Sequence, residues 1–275
     1  MKYTPVIGVA GCGAMGLPMA RQLQKAGQTV WGFDVRPADG FEDFASRMIE
    51  GPGKFAATID TLISVVRDQH QNMDLLFDNQ AIMKRENPPK TIIISSTLSP
   101  RFLPEIAERL PPGTALVDAP MSGAPARAED GTLTFMVGGN NEIVSDLMML
   151  FKIMGNDVHH LGSTGMGMTC KVINNFVSVT GFAAVRKALI AADILGLQRE
   201  RLLKVMRSSS GSTWYGDNLD RISWAREGYD AANTIGILEK DMLSFLDAVK
   251  GCEGVAVENL AGSVLDIVRA VEPLE

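Results

Sequence analysis

Apolar positions in the front half fall into short continuous runs, separated by stretches of helical period. Val6–Ala10, Thr29–Asp34, Leu62–Val66, Thr91–Ser95 and Ala115–Val117 are rich in Val and Ile and short, which predicts strands buried on both faces. Ala14–Ala26, Gln71–Met83 and Pro100–Leu110 read as the helices between them, the last stopped by Pro111-Pro112-Gly113. Such alternation predicts a doubly wound parallel α/β sheet of the Rossmann type. Thr132–Val137 and Val158–Leu161 are expected to extend that sheet, with a helix over Asn141–Met154 between them.

After Gly162 the strand signals stop. Helical patterns follow over Met166–Leu195, Arg199–Ser208, Thr234–Lys250 and Val255–Val271, with Gly251 as a stop between the last two. We therefore expect an α/β domain over residues 1–163 and an all-α domain over residues 164–275. Within the long first helix, Val172–Val185 is apolar around most of its circumference, which predicts burial on most sides.

Composition narrows the class without naming it. A chain of 275 residues with 46% hydrophobic and 21% charged residues can bury two cores. A net charge of −6 and no Lys/Arg cluster argue against nucleic acid as a partner. Lys2 and the uncharged run from Pro5 to Ala20 superficially resemble a secretory leader, but the glycines at 8, 11, 13 and 16 break any apolar helix there. With no long apolar run elsewhere, no membrane partner is expected. Cys12, Cys170 and Cys252 are scattered, so neither a disulfide framework nor a metal site is expected, and a reducing cytoplasm fits.

Gly11-Cys12-Gly13-Ala14-Met15-Gly16 follows the first strand and opens a helix. The first glycine permits a tight turn, the second lets backbone approach a pyrophosphate, and the third lets helix and strand pack closely. Asp34 closes the next strand, at the spacing where a carboxylate takes the adenosine ribose hydroxyls. Together they predict a dinucleotide site.

A hydride-carrying dinucleotide needs a proton donor or acceptor beside it. His159-His160 reads as a surface pair at a strand end, and no Tyr-x-x-x-Lys pair exists: Ile7, Leu219 and Asn233 stand four residues after Tyr3, Tyr215 and Tyr229. The long helix instead carries Lys171, Asn174, Asn175 and Ser178 as one polar stripe. Buried lysine and asparagine must pair or line a wet cavity. From the residues alone, a structural hydrogen-bond network or a solvated helix start stays open beside a catalytic role.

Four motifs resemble one family in order along the chain: Gly8-Val9-Ala10-Gly11-Cys12-Gly13-Ala14-Met15-Gly16, Asp118-Ala119-Pro120-Met121-Ser122-Gly123-Ala124, Gly162-x-x-Gly165-x-Gly167-x-x-x-Lys171-x-x-Asn174-Asn175, and Lys240-Asp241. The chain resembles the β-hydroxyacid dehydrogenases, the group of 3-hydroxyisobutyrate dehydrogenase and tartronate semialdehyde reductase, with 6-phosphogluconate dehydrogenase more distant. The resemblance implies NAD as cofactor, a small 3-hydroxy acid or its semialdehyde as substrate, and a homodimer or homotetramer. It implies Lys171 as general acid/base, Asn175 as the residue orienting substrate, and Ser122 with the Gly123-Ala124 backbone as the carboxylate holder. Val66, Thr97 and Lys240 are implied at the cofactor with the loop residues and Asp34. Asn233 stands where the family often has an aromatic residue, and Arg67 where many members carry proline. With Trp214 and Asn218, Asn233 is expected to bind a polyhydroxylated substrate. Two competing readings are a non-catalytic NAD(H)-binding scaffold and an imine reductase, and Lys171 argues against both.

Overall fold

The computed structural model describes residues 5–274, so Lys2 and Tyr3 lie outside the described residues. The chain forms two compact units, Met1–Lys171 and Val172–Glu275.

In the first unit, β1 (Ile7–Ala10), β2 (Val30–Phe33), β3 (Thr61–Ser64), β4 (Thr91–Ile94) and β5 (Ala115–Asp118) form a parallel sheet of order β2-β1-β3-β4-β5. The helices between them are α1 (Gly16–Lys25), α2 (Pro52–Thr58), α3 (Gln69–Leu76) and α4 (Leu103–Arg109). Side chains alternate across the pleat and so divide between two cores. Ile7, Val9, Ile63, Ile93 and Val117 pack with Met19 and Leu23 of α1. Ala10, Leu62, Ile92 and Ile94 pack instead with Phe55, Leu75 and Ile106 of α2, α3 and α4. The continuous apolar runs are thus explained by a sheet covered on both faces.

The helix expected over Gln71–Met83 is shorter: Asp68 caps α3 by accepting Gln71 N at 2.9 Å, and the helix ends at Leu76 before a 3₁₀ turn at Ile82–Lys84. The last strands also differ from expectation. β6 (Met121–Ser122), β7 (Leu133–Val137) and β8 (Gly155–His160) form a separate three-stranded sheet, with α5 (Pro125–Glu129) and α6 (Asn141–Met154) interspersed. β7 pairs antiparallel with β6 and parallel with β8. The parallel ladder of β5 ends at Asp118: Ala119 N still donates to Ile94 O at 2.8 Å, but Pro120 has no N–H to donate, and its carbonyl accepts Met136 N of β7 at 3.0 Å. An antiparallel bridge, Asp118 to Gly138, joins the two sheets.

The second unit is helical. It contains most of α7 (Met166–Ile194), then α8 (Arg199–Arg207), α9 (Trp214–Asn218), α10 (Thr234–Val249) and α11 (Glu258–Arg269) around one apolar core. Arg186 is buried in it and donates to the carbonyls of Ala225 and Glu227 at 3.0 and 3.4 Å, which satisfies a charge that could not otherwise stay there. Burial all round α7 is not observed: Ile173 and Val177 are exposed. Among the described residues no helix is long and apolar enough to cross a membrane.

Candidate functional site

The loop between β1 and α1 lies where the strand order reverses, since β1 sits between β2 and β3; open α/β sheets bind ligands at such a point. Gly11 has φ +86°, and a Cβ there would lie 2.8 Å from the Val65 backbone. A Cβ on Gly16 would lie 2.1 Å from Gly11 O, so only glycine lets α1 start so close to β1. Gly13 is the opposite case, with no protein atom within 4 Å of its would-be Cβ. Gly13 and Ala14 are exposed and Met15 half-buried. The first turn of α1 has no side-chain cap and no acidic residue, which leaves its N–H groups and dipole to an anion. The cradle fits a pyrophosphate.

Asp34 is not a lone carboxylate. It accepts from Arg36 N at 3.1 Å, Arg36 Nε at 3.0 Å and Arg36 Nη2 at 3.2 Å. Arg36 Nη2 also donates to Cys12 O at 2.9 Å, and the guanidinium lies 4.8 Å over the Phe41 ring. Burial alone would raise the Asp34 carboxyl, but the Arg36 hydrogen bonds and charge outweigh it and hold it below the usual range. Burial, with the Asp34 charge behind it, pushes the Cys12 thiol up to about 12, so this loop cysteine stays protonated.

Beyond β3 and β4 a buried polar network fixes the loops that carry Val66 and Thr97, both half-buried. Ser64 Oγ donates to Asn72 Oδ1 at 2.7 Å, Asn72 Nδ2 to Ser96 Oγ at 3.1 Å, and Ser96 Oγ to Val66 O at 2.6 Å. On the other loop, Ser122 is half-buried on β6. Gly123 has φ +143°, and a Cβ there would meet Leu133 Cδ2 at 2.8 Å; Ala124 then leads into α5.

Lys171 lies in the second turn of α7 and is only 7% exposed. The start of that helix is held by Asp118, whose carboxylate accepts Gly165 N at 2.6 Å and Met168 N at 2.7 Å. In the second unit Asn175, also 7% exposed, donates from Nδ2 to Asp241 Oδ2 at 2.6 Å and accepts from Asn174 Nδ2 at 3.2 Å. Lys240 Nζ lies 2.7 Å from Asp241 Oδ1. The predicted stripe thus divides: Lys171 and Asn175 are buried, while Asn174 and Ser178 are exposed. Asp118 and Asp241 stand in the matched motifs, but neither is given a role by them. A signal existed for Asp241, which falls on the apolar face of α10 defined by Ile235, Met242 and Phe245.

Three residues expected at the substrate have local structural duties. Asn233 caps α10: its Oδ1 accepts Ile235 N and Gly236 N at 2.9 and 3.2 Å, and its Nδ2 donates to Gly228 O and Glu227 Oε2. These bonds engage both the oxygen and the nitrogen of its amide. Trp214 opens the unforeseen helix α9 and is half exposed; Asn218 closes it by donating to Trp214 O at 2.8 Å.

Residues 6–162 match the family model of the NAD-binding domain of 6-phosphogluconate dehydrogenase. Residues 165–270 match that of the NAD-binding domain of NADP-dependent 3-hydroxyisobutyrate dehydrogenase. The human mitochondrial 3-hydroxyisobutyrate dehydrogenase is 30% identical over 84% of this chain and 69% of its own length. L-threonate dehydrogenase of Cupriavidus necator is 30% identical over 89% and 83%. The crystal structure of a 3-hydroxyisobutyrate dehydrogenase from Salmonella typhimurium superposes with a TM-score of 0.80 at 25% identity, covering 95% of this chain and 92% of that one.

Proposed function

Because the chain belongs to the β-hydroxyacid dehydrogenase family, as an NAD-dependent oxidoreductase of CH–OH groups in small hydroxy acids, we propose that Lys171 is its general acid/base. NAD, when bound, supplies the hydride acceptor. Gly11, Gly13, Ala14, Met15 and Gly16 cradle its pyrophosphate, Asp34 with Arg36 meets its adenosine ribose, and Val66, Thr97 and Lys240 border its nicotinamide half. Ser122 and the backbone of Gly123-Ala124 hold the substrate carboxylate. Lys171 Nζ takes the hydroxyl proton during oxidation and returns it during reduction, while Asn175 orients the hydroxyl. Asp241 holds the Asn175 amide in one orientation by accepting from its Nδ2.

The observation that carries this reading is a lysine only 7% exposed, placed one helical turn before an equally buried asparagine. Burial of that kind is costly and is kept where the groups have work to do. Lys171→Ala should retain NADH binding and lose roughly 10²–10⁴ in turnover, the usual contribution of a positioned acid/base. Lys171→Arg should fare little better, because a guanidinium stays protonated. Lys187→Ala, on the exposed side of the same helix, should behave as wild type. Retained turnover in Lys171→Ala ends the mechanism.

For substrate we propose a small 3-hydroxy acid with a further hydroxyl. Support comes from Trp214 and Asn218 and from the relative that acts on L-threonate; Asn233 is no longer part of the case. Preference for 3-hydroxyisobutyrate over glycerate and threonate in an NADH absorbance panel would refute it. The functional division at residues 163/164 is supported by the two matched stretches. A homodimer or homotetramer built on the helical half is supported by Ile194 and Leu195, 79% and 82% exposed. A monomer in sedimentation would count against it. A cytoplasmic location rests on the free thiols of Cys12, Cys170 and Cys252, and cell fractionation checks it.

A further inference from the structure

Asp118 is a carboxylate of the first unit buried at 0% exposure, yet it has no part in the chemistry assigned above. Its surroundings are built for it. The backbone of Asp118 exchanges two hydrogen bonds with Gly138, at 3.0 and 2.8 Å, locking the end of β5 to the second sheet. Its two carboxylate oxygens take different N–H groups of the segment that begins α7, Gly165 and Met168. A Cβ on Gly138 would lie 2.5 Å from Asp118 Oδ1, and one on Gly167 would lie 2.8 Å from Asp118 Oδ2. Both neighbours must therefore be glycine for the carboxylate to fit.

Two physical consequences follow for Lys171, three residues beyond Met168. The carboxylate fixes where α7 starts and how it is rotated, because each oxygen binds a different N–H. It also sets a negative charge at the positive end of the helix macrodipole, which otherwise opposes a cation in the first turns. Burial pushes the Asp118 carboxyl above its ordinary range, and the backbone N–H bonds pull against that shift. Charge-assisted hydrogen bonds of 2.6–2.7 Å are at the short, strong end.

We infer that Asp118 is a positioning residue for the reaction: it aims Lys171 by clamping the N-terminus of α7 to the end of β5. The inference rests on Lys171 as acid/base, and the experiment separates the two. Asp118→Asn keeps the size and loses the charge and one of the two acceptors. Asp60→Asn is the control, since Asp60 Oδ2 also accepts a backbone N–H, from Val6 at 2.8 Å, at the opposite end of the sheet. NADH binding, kcat, KM and the deuterium isotope effect on kcat are measured with the best hydroxy acid of the panel, labelled at its carbinol carbon.

Expected for Asp118→Asn is NADH binding within twofold of wild type, and kcat lower by about 10- to 100-fold. KM should move far less than kcat, and the isotope effect should rise because the chemical step has become limiting. Asp60→Asn should alter melting temperature at most. If Asp118→Asn does not fold, Asp118→Ser is read in its place, since it keeps one oxygen acceptor in less volume. A wild-type kcat and isotope effect in Asp118→Asn overturns the inference, as does loss of fold in both variants, which makes Asp118 structural. Lys171→Ala run in parallel distinguishes the failures: retained turnover there removes the acid/base reading itself, whereas its loss beside an active Asp118→Asn removes only the positioning role.

Discussion

Arg36→Ala should sharpen the preference for NAD over NADP. An NADP 2′-phosphate placed near the Asp34 carboxylate at about 5 Å would be opposed by about 1–3 kcal/mol, taking an effective dielectric between bulk water and a protein surface. That is a factor of about 5 to 150 in favour of NAD. In the wild type, however, the guanidinium lies 3.0 Å from the same carboxylate and is itself 57% exposed, so it offsets the repulsion and can contact an added phosphate. Removing it strips both effects in the same direction. We expect kcat/KM with NADP to fall at least tenfold while that with NAD stays within about threefold, and the gap to narrow as added salt screens the charges. Asp34→Asn should move the ratio the other way. Parallel kcat/KM measurements with both cofactors decide it; an unchanged or improved NADP ratio in Arg36→Ala refutes the electrostatic account.

The second and third glycines of the loop should fail in different ways. Gly13→Ala, with open space around its Cβ, should leave the melting temperature of the free protein unchanged and weaken NADH binding by tenfold or more, read by fluorescence titration. Gly16→Ala forces a methyl to 2.1 Å from Gly11 O and should cost roughly 1–3 kcal/mol of stability as well as cofactor binding, as strain of this kind does. Asn233→Ala should lose about 1 kcal/mol in denaturant unfolding, the worth of an N-cap, with kcat/KM for the hydroxy acid within twofold of wild type; a large substrate-selective loss would return Asn233 to the binding site.

The parallel sheet was legible because its strands announce themselves twice. Ile63 and Ile93 face one core while Leu62, Ile92 and Ile94 face the other, and a chain buried on both sides cannot afford polar alternation. The same pattern misled at Thr132–Val137, whose apolar run is equally compatible with a second sheet. What separates the two is the end of the parallel ladder at Asp118 and the two-residue strand β6 that follows, below the length at which periodicity carries information. The helical half was read as four helices for a related reason. The five residues of α9 give less than two turns of period, and its start is marked only by Thr213, which accepts Gly216 N at 3.1 Å.

The site was legible as residue types and opaque as pairings. The glycine loop, Lys171 and Asn175 stand at fixed local spacings, so motif and helical period reach them. Asp34 was readable as a carboxylate at a strand end, but its guanidinium partner lies two residues on, in a segment with no pattern of its own. The partners of the Asp118 carboxylate are 47 and 50 residues away, and Asp241, which accepts from Asn175 Nδ2, is 66 away. No local spacing encodes such contacts; they exist only once the fold has brought β5 to α7 and α10 to α7. The converse holds for Asn233, whose place where the family often has an aromatic residue suggested a substrate contact. Its next three residues, Thr234-Ile235-Gly236, open a helix that needs an Asn, Asp, Ser or Thr before it. A side chain with two acceptor contacts and two donor contacts already made has no lone pair or proton left to offer substrate without giving up its cap.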